Sequence, residues 1–131
     1  MKTSDNIKSQ HRIQIDVDTE YLAEHSQPED ERYTFGYTIT ITNRSEKPVQ
    51  LLNRHWVITD ANNDIQEVHG EGVVGEQPFI GAGKSYRYSS GAVLRTEVGS
   101  MEGSYQMQNI DGSLFDAEIS AFSLHKPGTL H

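Results

Sequence analysis

The chain contains no cysteine, which removes disulfides, thiolate metal centres and cysteine nucleophiles from consideration. It is also short of apolar residues, at 34% of its 131 positions, and no run approaches the roughly 18 apolar residues that a membrane-spanning helix needs. Basic residues are scarce: 11 Lys and Arg stand against 19 Asp and Glu, for a formal charge of -8. A field of that sign opposes a phosphate backbone and an anionic membrane surface, so neither nucleic acid nor membrane insertion is expected. Met1 to Gln10 is polar and lacks the apolar core of a secretory signal, and it reads as a flexible segment ahead of a soluble, cytoplasmic domain. At this length a single domain is expected over residues 11–126, with 127–131 as a short tail.

What the chain does have is alternation. Ile13, Ile15, Val17 and Tyr21 fall on one face, opposite Arg12, Gln14, Asp16 and Asp18, which predicts a half-buried strand. Glu24 to Arg32, with Pro28 inside it, is a polar break. Tyr33, Phe35, Tyr37, Ile39 and Ile41 then alternate with threonines and Gly36, a composition suited to a pleated surface. Asn43 to Pro48 reads as a turn and Val49 to Asp60 as a third strand, in which Leu52, Trp56 and Ile58 share a parity that points Trp56 into the core. Asp60 and Asp64 bracket a hairpin turn, where aspartate caps its own backbone. Further strands are predicted over Ile65 to His69, around Tyr86 and Tyr88, over Ser104 to Asn109 and over Leu114 to Leu124, the last two joined at Asp111-Gly112. No sustained 3.6-residue period competes with them. About seven short strands carrying one buried tryptophan predict an all-β, two-sheet sandwich of the immunoglobulin or fibronectin type III kind.

Gly70-Glu71-Gly72-Val73-Val74-Gly75 spells the G-x-G-x-x-G of a phosphate-cradling loop, but that motif works by opening a helix whose amides and dipole hold the anion. Pro78, Gly81 and Gly83 forbid such a helix, and Glu71 and Glu76 add negative charge. The expected role of the glycines is therefore to let the chain cross from one sheet to the other. Gly83-Lys84-Ser85 resembles the close of a P-loop, yet Pro78 stands where the opening glycine belongs. Two binding roles stay open for the segment. One is contact with another protein through Val73, Val74 and Phe79, with Arg54 nearby; the other is a backbone nest for phosphate, pyrophosphate or a nucleotide, with Arg54, Lys84 or Arg87 as counter-charge. Protein contact is the preferred reading, and no cofactor is expected.

Histidines stand at positions 11, 25, 55, 69, 125 and 131. Among them His69 with Glu71 has the spacing that puts two ligand types on one strand face, and H-E-x-x-H is absent. Two ligands make a weak metal site, so solvated or core histidine is the expectation. Carboxylates are scattered, Ser89 and Ser90 sit in no nucleophile elbow, and no catalytic residue is assigned.

The segments Phe35 to Asn43, Val49 to Asp60, Glu67 to Pro78, Tyr88 to Leu94 and Gly99 to Met107 together resemble the bacterial ApaG (CorD) family, with coverage from about Arg12 to Leu124 and a familiar close at Leu130-His131. The resemblance implies a fibronectin type III-like sandwich, a domain reused for protein contact in eukaryotic adaptors including F-box proteins, and a link to cobalt tolerance and magnesium efflux without an established enzymatic activity. It places the family's glycine motif at Gly70, Gly72 and Gly75. Two positions depart from the family pattern: Ser104, where histidine is common in the Gly-x-Tyr segment, and His69. The expectation is a non-enzymatic binding module with an unknown protein partner; its exposed sandwich edges also allow a homodimer.

Overall fold

The computed structural model describes residues 12–128. The predicted N-terminal segment 1–10, His11, and the closing Leu130-His131 lie outside the described residues. Strands β1 (Ile13–Tyr21), β2 (Tyr33–Asn43), β3 (Val49–Asp60), β4 (Ile65–Glu71), β5 (Phe79–Ile80), β6 (Ser85–Leu94), β7 (Val98–Asn109) and β8 (Leu114–His125) follow in chain order. Two single-turn 3-10 segments, Ala23–His25 and Pro28–Asp30, occupy the polar break between β1 and β2. No α-helix occurs among the described residues, and no helix there is long and apolar enough to cross a membrane.

The strands form two antiparallel sheets, β1-β2-β6 and β4-β3-β7-β8, with β5 pairing to β3 beside β4. Because β4 joins the larger sheet and not the smaller one, the arrangement is that of fibronectin type III domains, where immunoglobulin constant domains place their fourth strand on the other side. The eighth strand, β5, is two residues long, too short to show alternation in sequence.

Inward residues of both sheets build one core. Phe35, Ile39 and Ile41 of β2 face Leu51, Met101, Tyr105, Met107 and Leu124 of the larger sheet, all fully or almost fully buried. Trp56 packs edge-on against Tyr37 at 5.5 Å, Phe122 at 5.9 Å and Tyr105 at 6.3 Å between ring centroids, geometry in which ring edges meet ring faces favourably. The hydroxyls of Tyr88 on β6 and Tyr105 on β7 hydrogen-bond across the two sheets. Burial pushes both phenols above their ordinary pKa.

One irregularity in β3 decides where the candidate residues point. Leu51 pairs with Met107 and Asn53 with Gln106, which leaves Leu52 as an extra residue in the strand. This bulge flips the alternation, so Leu51 and Trp56 are both buried and Leu52 is only half-buried. The expected common parity of Leu52 with Trp56 is thereby corrected. At the far end of β3, Asp60 Oδ1 accepts hydrogen bonds from the backbone N–H of Asn62 at 2.8 Å and Asp64 at 3.0 Å, as the turn chemistry predicted. That turn fixes the β3–β4 register, setting Thr59 opposite Ile65 and, further along, His55 opposite His69.

Candidate functional site

The chain leaves β4 at Glu71 and returns at β5 to the same edge of β3. Residues 72–78 are therefore an excursion within one sheet, and the crossing to the smaller sheet comes later, between Ile80 and Ser85. This corrects the expectation that Gly70, Gly72 and Gly75 carry the chain between sheets. At the tip, Val73 N–H donates to the Glu76 carbonyl at 2.8 Å and Glu76 N–H to the Val73 carbonyl at 2.9 Å. Val74 and Gly75 between them both have positive φ, 42° and 82°, the signature of a type I′ turn. The base of the excursion sits on the β3 bulge: the Leu52 carbonyl accepts from Gly72 N–H at 2.8 Å and Gln77 Nε2 at 2.9 Å, while Leu51 N–H donates to the Pro78 carbonyl at 3.0 Å. The bulged residue supplies an acceptor that regular pairing would have consumed.

The glycines have local reasons to be glycine. A Cβ at Gly72 would lie 2.2 Å from the Glu76 carbonyl oxygen, and its φ of 65° already disfavours side chains. A Cβ at Gly70 would lie 2.5 Å from Arg54 Cζ, because the guanidinium fills that space from the neighbouring strand. Arg54 Nη1 donates to the carbonyls of Gly72 at 2.9 Å and Glu71 at 3.2 Å. Arg54 thus holds the turn from behind, and the amides of Gly72, Val73 and Glu76 are already committed to carbonyls of the protein.

The apolar residues of the segment separate into three environments. Val73 is fully buried and plugs the sandwich edge, so its expected place on the surface is corrected. Val74 remains 56% exposed, at the mouth of a cleft of about 180 Å³ that Tyr37, Arg54, Trp56 and Tyr88 also line. Phe79 is 76% exposed and borders a different hollow, with Pro48 and Ile110. Glu71 ends β4 opposite Asn53. A larger groove of about 550 Å³, bordered by Arg32, Asp60, Asp64 and Arg95, lies beside the β3–β4 turn, where the Asp60 carboxylate is occupied as a backbone cap.

On the outward face of β3 and β4, His55 and His69 are direct cross-strand partners. Their rings stack with centroids 4.2 Å apart and planes 16° from parallel. Glu67, one step along the same face of β4, accepts on Oε2 from His55 Nε2 at 3.1 Å and His69 Nε2 at 3.3 Å. The hydrogen bond from His55, followed by that from His69, holds the Glu67 carboxyl below its ordinary pKa. The sequence expectation paired His69 with Glu71; the structure joins it instead to Glu67 and His55, and Glu71 lies outside the cluster. Counting back from the Asp60–Asp64 turn on both strands would have placed His55 opposite His69.

These features define a fibronectin type III-like sandwich with a hydrogen-bonded turn and a histidine-carboxylate cluster on one sheet edge. The chain belongs to the ApaG domain family (DUF525), whose profile matches residues 23–109. "Protein ApaG" of Pseudomonas fluorescens strain Pf0-1 is 57% identical over 125 residues, covering 94% of this chain and 99% of that protein. "Protein ApaG" of Pseudomonas aeruginosa strain LESB58 is 56% identical over 123 residues, covering 94% and 98%. Among solved structures, the putative ApaA protein from Bordetella pertussis superposes with a TM-score of 0.86 at 40% identity, covering 89% of this chain and 95% of its own. The X-ray structure of a structural-genomics target gives a TM-score of 0.88 at 49% identity, covering 93% and 92%.

Proposed function

We propose that the chain is a non-enzymatic binding module, working in the cytoplasm, that contacts another protein through the β4–β5 turn and through that contact contributes to cobalt tolerance and magnesium efflux. Val74 carries the reading. A β-branched side chain in the left-handed region costs about 1 kcal/mol or more, and a hairpin of this type is better served by asparagine or aspartate at that position. Stability therefore offers no reason for valine there, whereas an apolar side chain held out on a clamped turn suits docking. Phe79, the first residue of β5 where the excursion ends, is a second exposed apolar residue, bordering a different hollow.

The alternative, a phosphate, pyrophosphate or nucleotide ligand on the loop amides, has less behind it. Gly72, Val73 and Glu76 already donate within the protein, and Arg54 is directed at carbonyl oxygens. The test is complementation of a strain lacking the protein. Val74→Asp, an exposed change to a residue better suited to this turn position that should not lower the melting temperature, is expected to fail to restore growth on cobalt. Full restoration by this variant contradicts the proposal, and Phe79→Asp in parallel tells which hollow the partner enters.

A further inference from the structure

The second feature of the β3–β4 edge lies on the outward face of the larger sheet and uses residues that the protein-contact reading does not. The ligand atoms of His55, Glu67 and His69 lie within 4.8 Å of one another. We propose that these three side chains bind a divalent first-row transition-metal cation, with the remaining coordination positions open to water or to a further donor.

The distances favour this. Ligands about 2.0–2.1 Å from a tetrahedral ion are separated from each other by roughly 3.3–3.4 Å. The carboxylate oxygen already stands 3.1 Å and 3.3 Å from the two imidazole nitrogens. Strand pairing sets this placement: His55 and His69 are cross-strand partners, and Glu67 is two residues along the same face. Coordination requires the stacked rings to turn about their side-chain torsions until both nitrogens point at one centre. The cation takes the place of the hydrogen bonds to Glu67 Oε2: in each neutral ring the proton sits on Nδ1, and Nε2 offers its lone pair to the metal.

The same triad could be only an ion-pair network that stabilises the sheet. Its side chains are 34%, 56% and 71% exposed for His55, Glu67 and His69, and exposed pairs of this kind contribute little to folding. Stability thus explains the constellation poorly. Two imidazoles and one carboxylate also define the cation class: such donors suit zinc, nickel, copper and cobalt, whereas magnesium and calcium prefer all-oxygen shells.

Calorimetric titration of the untagged full chain with zinc chloride, nickel chloride and magnesium chloride tests the proposal, beside the double variant His55→Gln/His69→Gln. Both substitutions are at the sheet surface, and an unchanged melting temperature without metal verifies that the variant folds. The expected result is saturable binding of one zinc or nickel ion per chain, weakened at least tenfold in the variant, with no saturable magnesium binding. Imidazole NMR signals of His55 and His69 should shift with zinc ahead of those of His25 and His125. Absence of saturable binding of both zinc and nickel by the wild type, or a loss smaller than tenfold in the variant, overturns the assignment.

Discussion

The guanidinium of Arg54 occupies the space that a side chain at Gly70 would need, across the β3–β4 pair. A methyl group there displaces the end of a flexible side chain, and the cost is the pair of hydrogen bonds from Arg54 to the Glu71 and Gly72 carbonyls. Gly70→Ala and Arg54→Met should therefore lose the same interaction, each about 1.5–3 kcal/mol by the usual worth of charge-assisted hydrogen bonds. The double variant should be no less stable than the weaker single one, as urea unfolding of the four proteins will show. Additive losses contradict the clamp.

Asn43 is buried and ties the β2–β3 turn to β5. Its Nδ2 donates to the carbonyls of Ile80 at 2.9 Å and Lys47 at 2.8 Å, while Oδ1 accepts from Ser45 N–H at 3.0 Å and Ser45 Oγ at 2.6 Å. Asn43→Ala leaves these groups without their partner and should cost about 2 kcal/mol or more. Asn43→Asp should be worse at neutral pH, since it turns a carboxylate oxygen towards two carbonyls. Equal stability of the aspartate variant and the wild type in urea contradicts the amide's role.

The Tyr88–Tyr105 pair makes the fold sensitive to alkali. Both phenols have raised pKa values through burial, so the folded state holds their protons where the unfolded chain, titrating near pH 10, has begun to lose them. Their contribution is complete below that pH and falls as pH rises above it. Near-ultraviolet absorbance should show Tyr88 and Tyr105 ionising only together with unfolding, an absorbance step that the double phenylalanine variant loses. Replacing both by phenylalanine should move alkaline unfolding to higher pH.

The sequence made the sandwich readable where alternation is long. The apolar run from Phe35 to Ile41 against its threonines marks β2 plainly, and the turn residues Asp60 to Asp64 mark the β3–β4 hairpin. The bulge at Leu52 leaves no compositional trace, because one inserted residue changes parity without changing residue type. Two-residue β5 has too little sequence to alternate. Val73 and Val74 look alike in sequence; the turn closing between Val73 and Glu76 buries one and exposes the other. The histidine cluster was hidden for a different reason: its partners sit on adjacent strands, and spacing within a single strand pairs His69 with the wrong glutamate.

Titration with pyrophosphate and ATP, followed through backbone amide shifts, should leave Gly72 and Gly75 unmoved. The Gly72 amide is engaged with Leu52, and no helix end follows to supply others. Saturable shifts at both glycines would revive the anion-binding alternative.

Val74→Asn tests the central claim most directly, because it converts the turn tip to Asn-Gly, the pair best suited to positive φ at both positions. Relieving the strained valine should raise stability by about 1 kcal/mol, a few degrees in melting temperature, while the same change removes the apolar contact and impairs growth of the complemented strain on cobalt. A more stable protein that no longer supports tolerance is the predicted result. A variant that fully supports tolerance, or one that is no more stable than the wild type, contradicts the account.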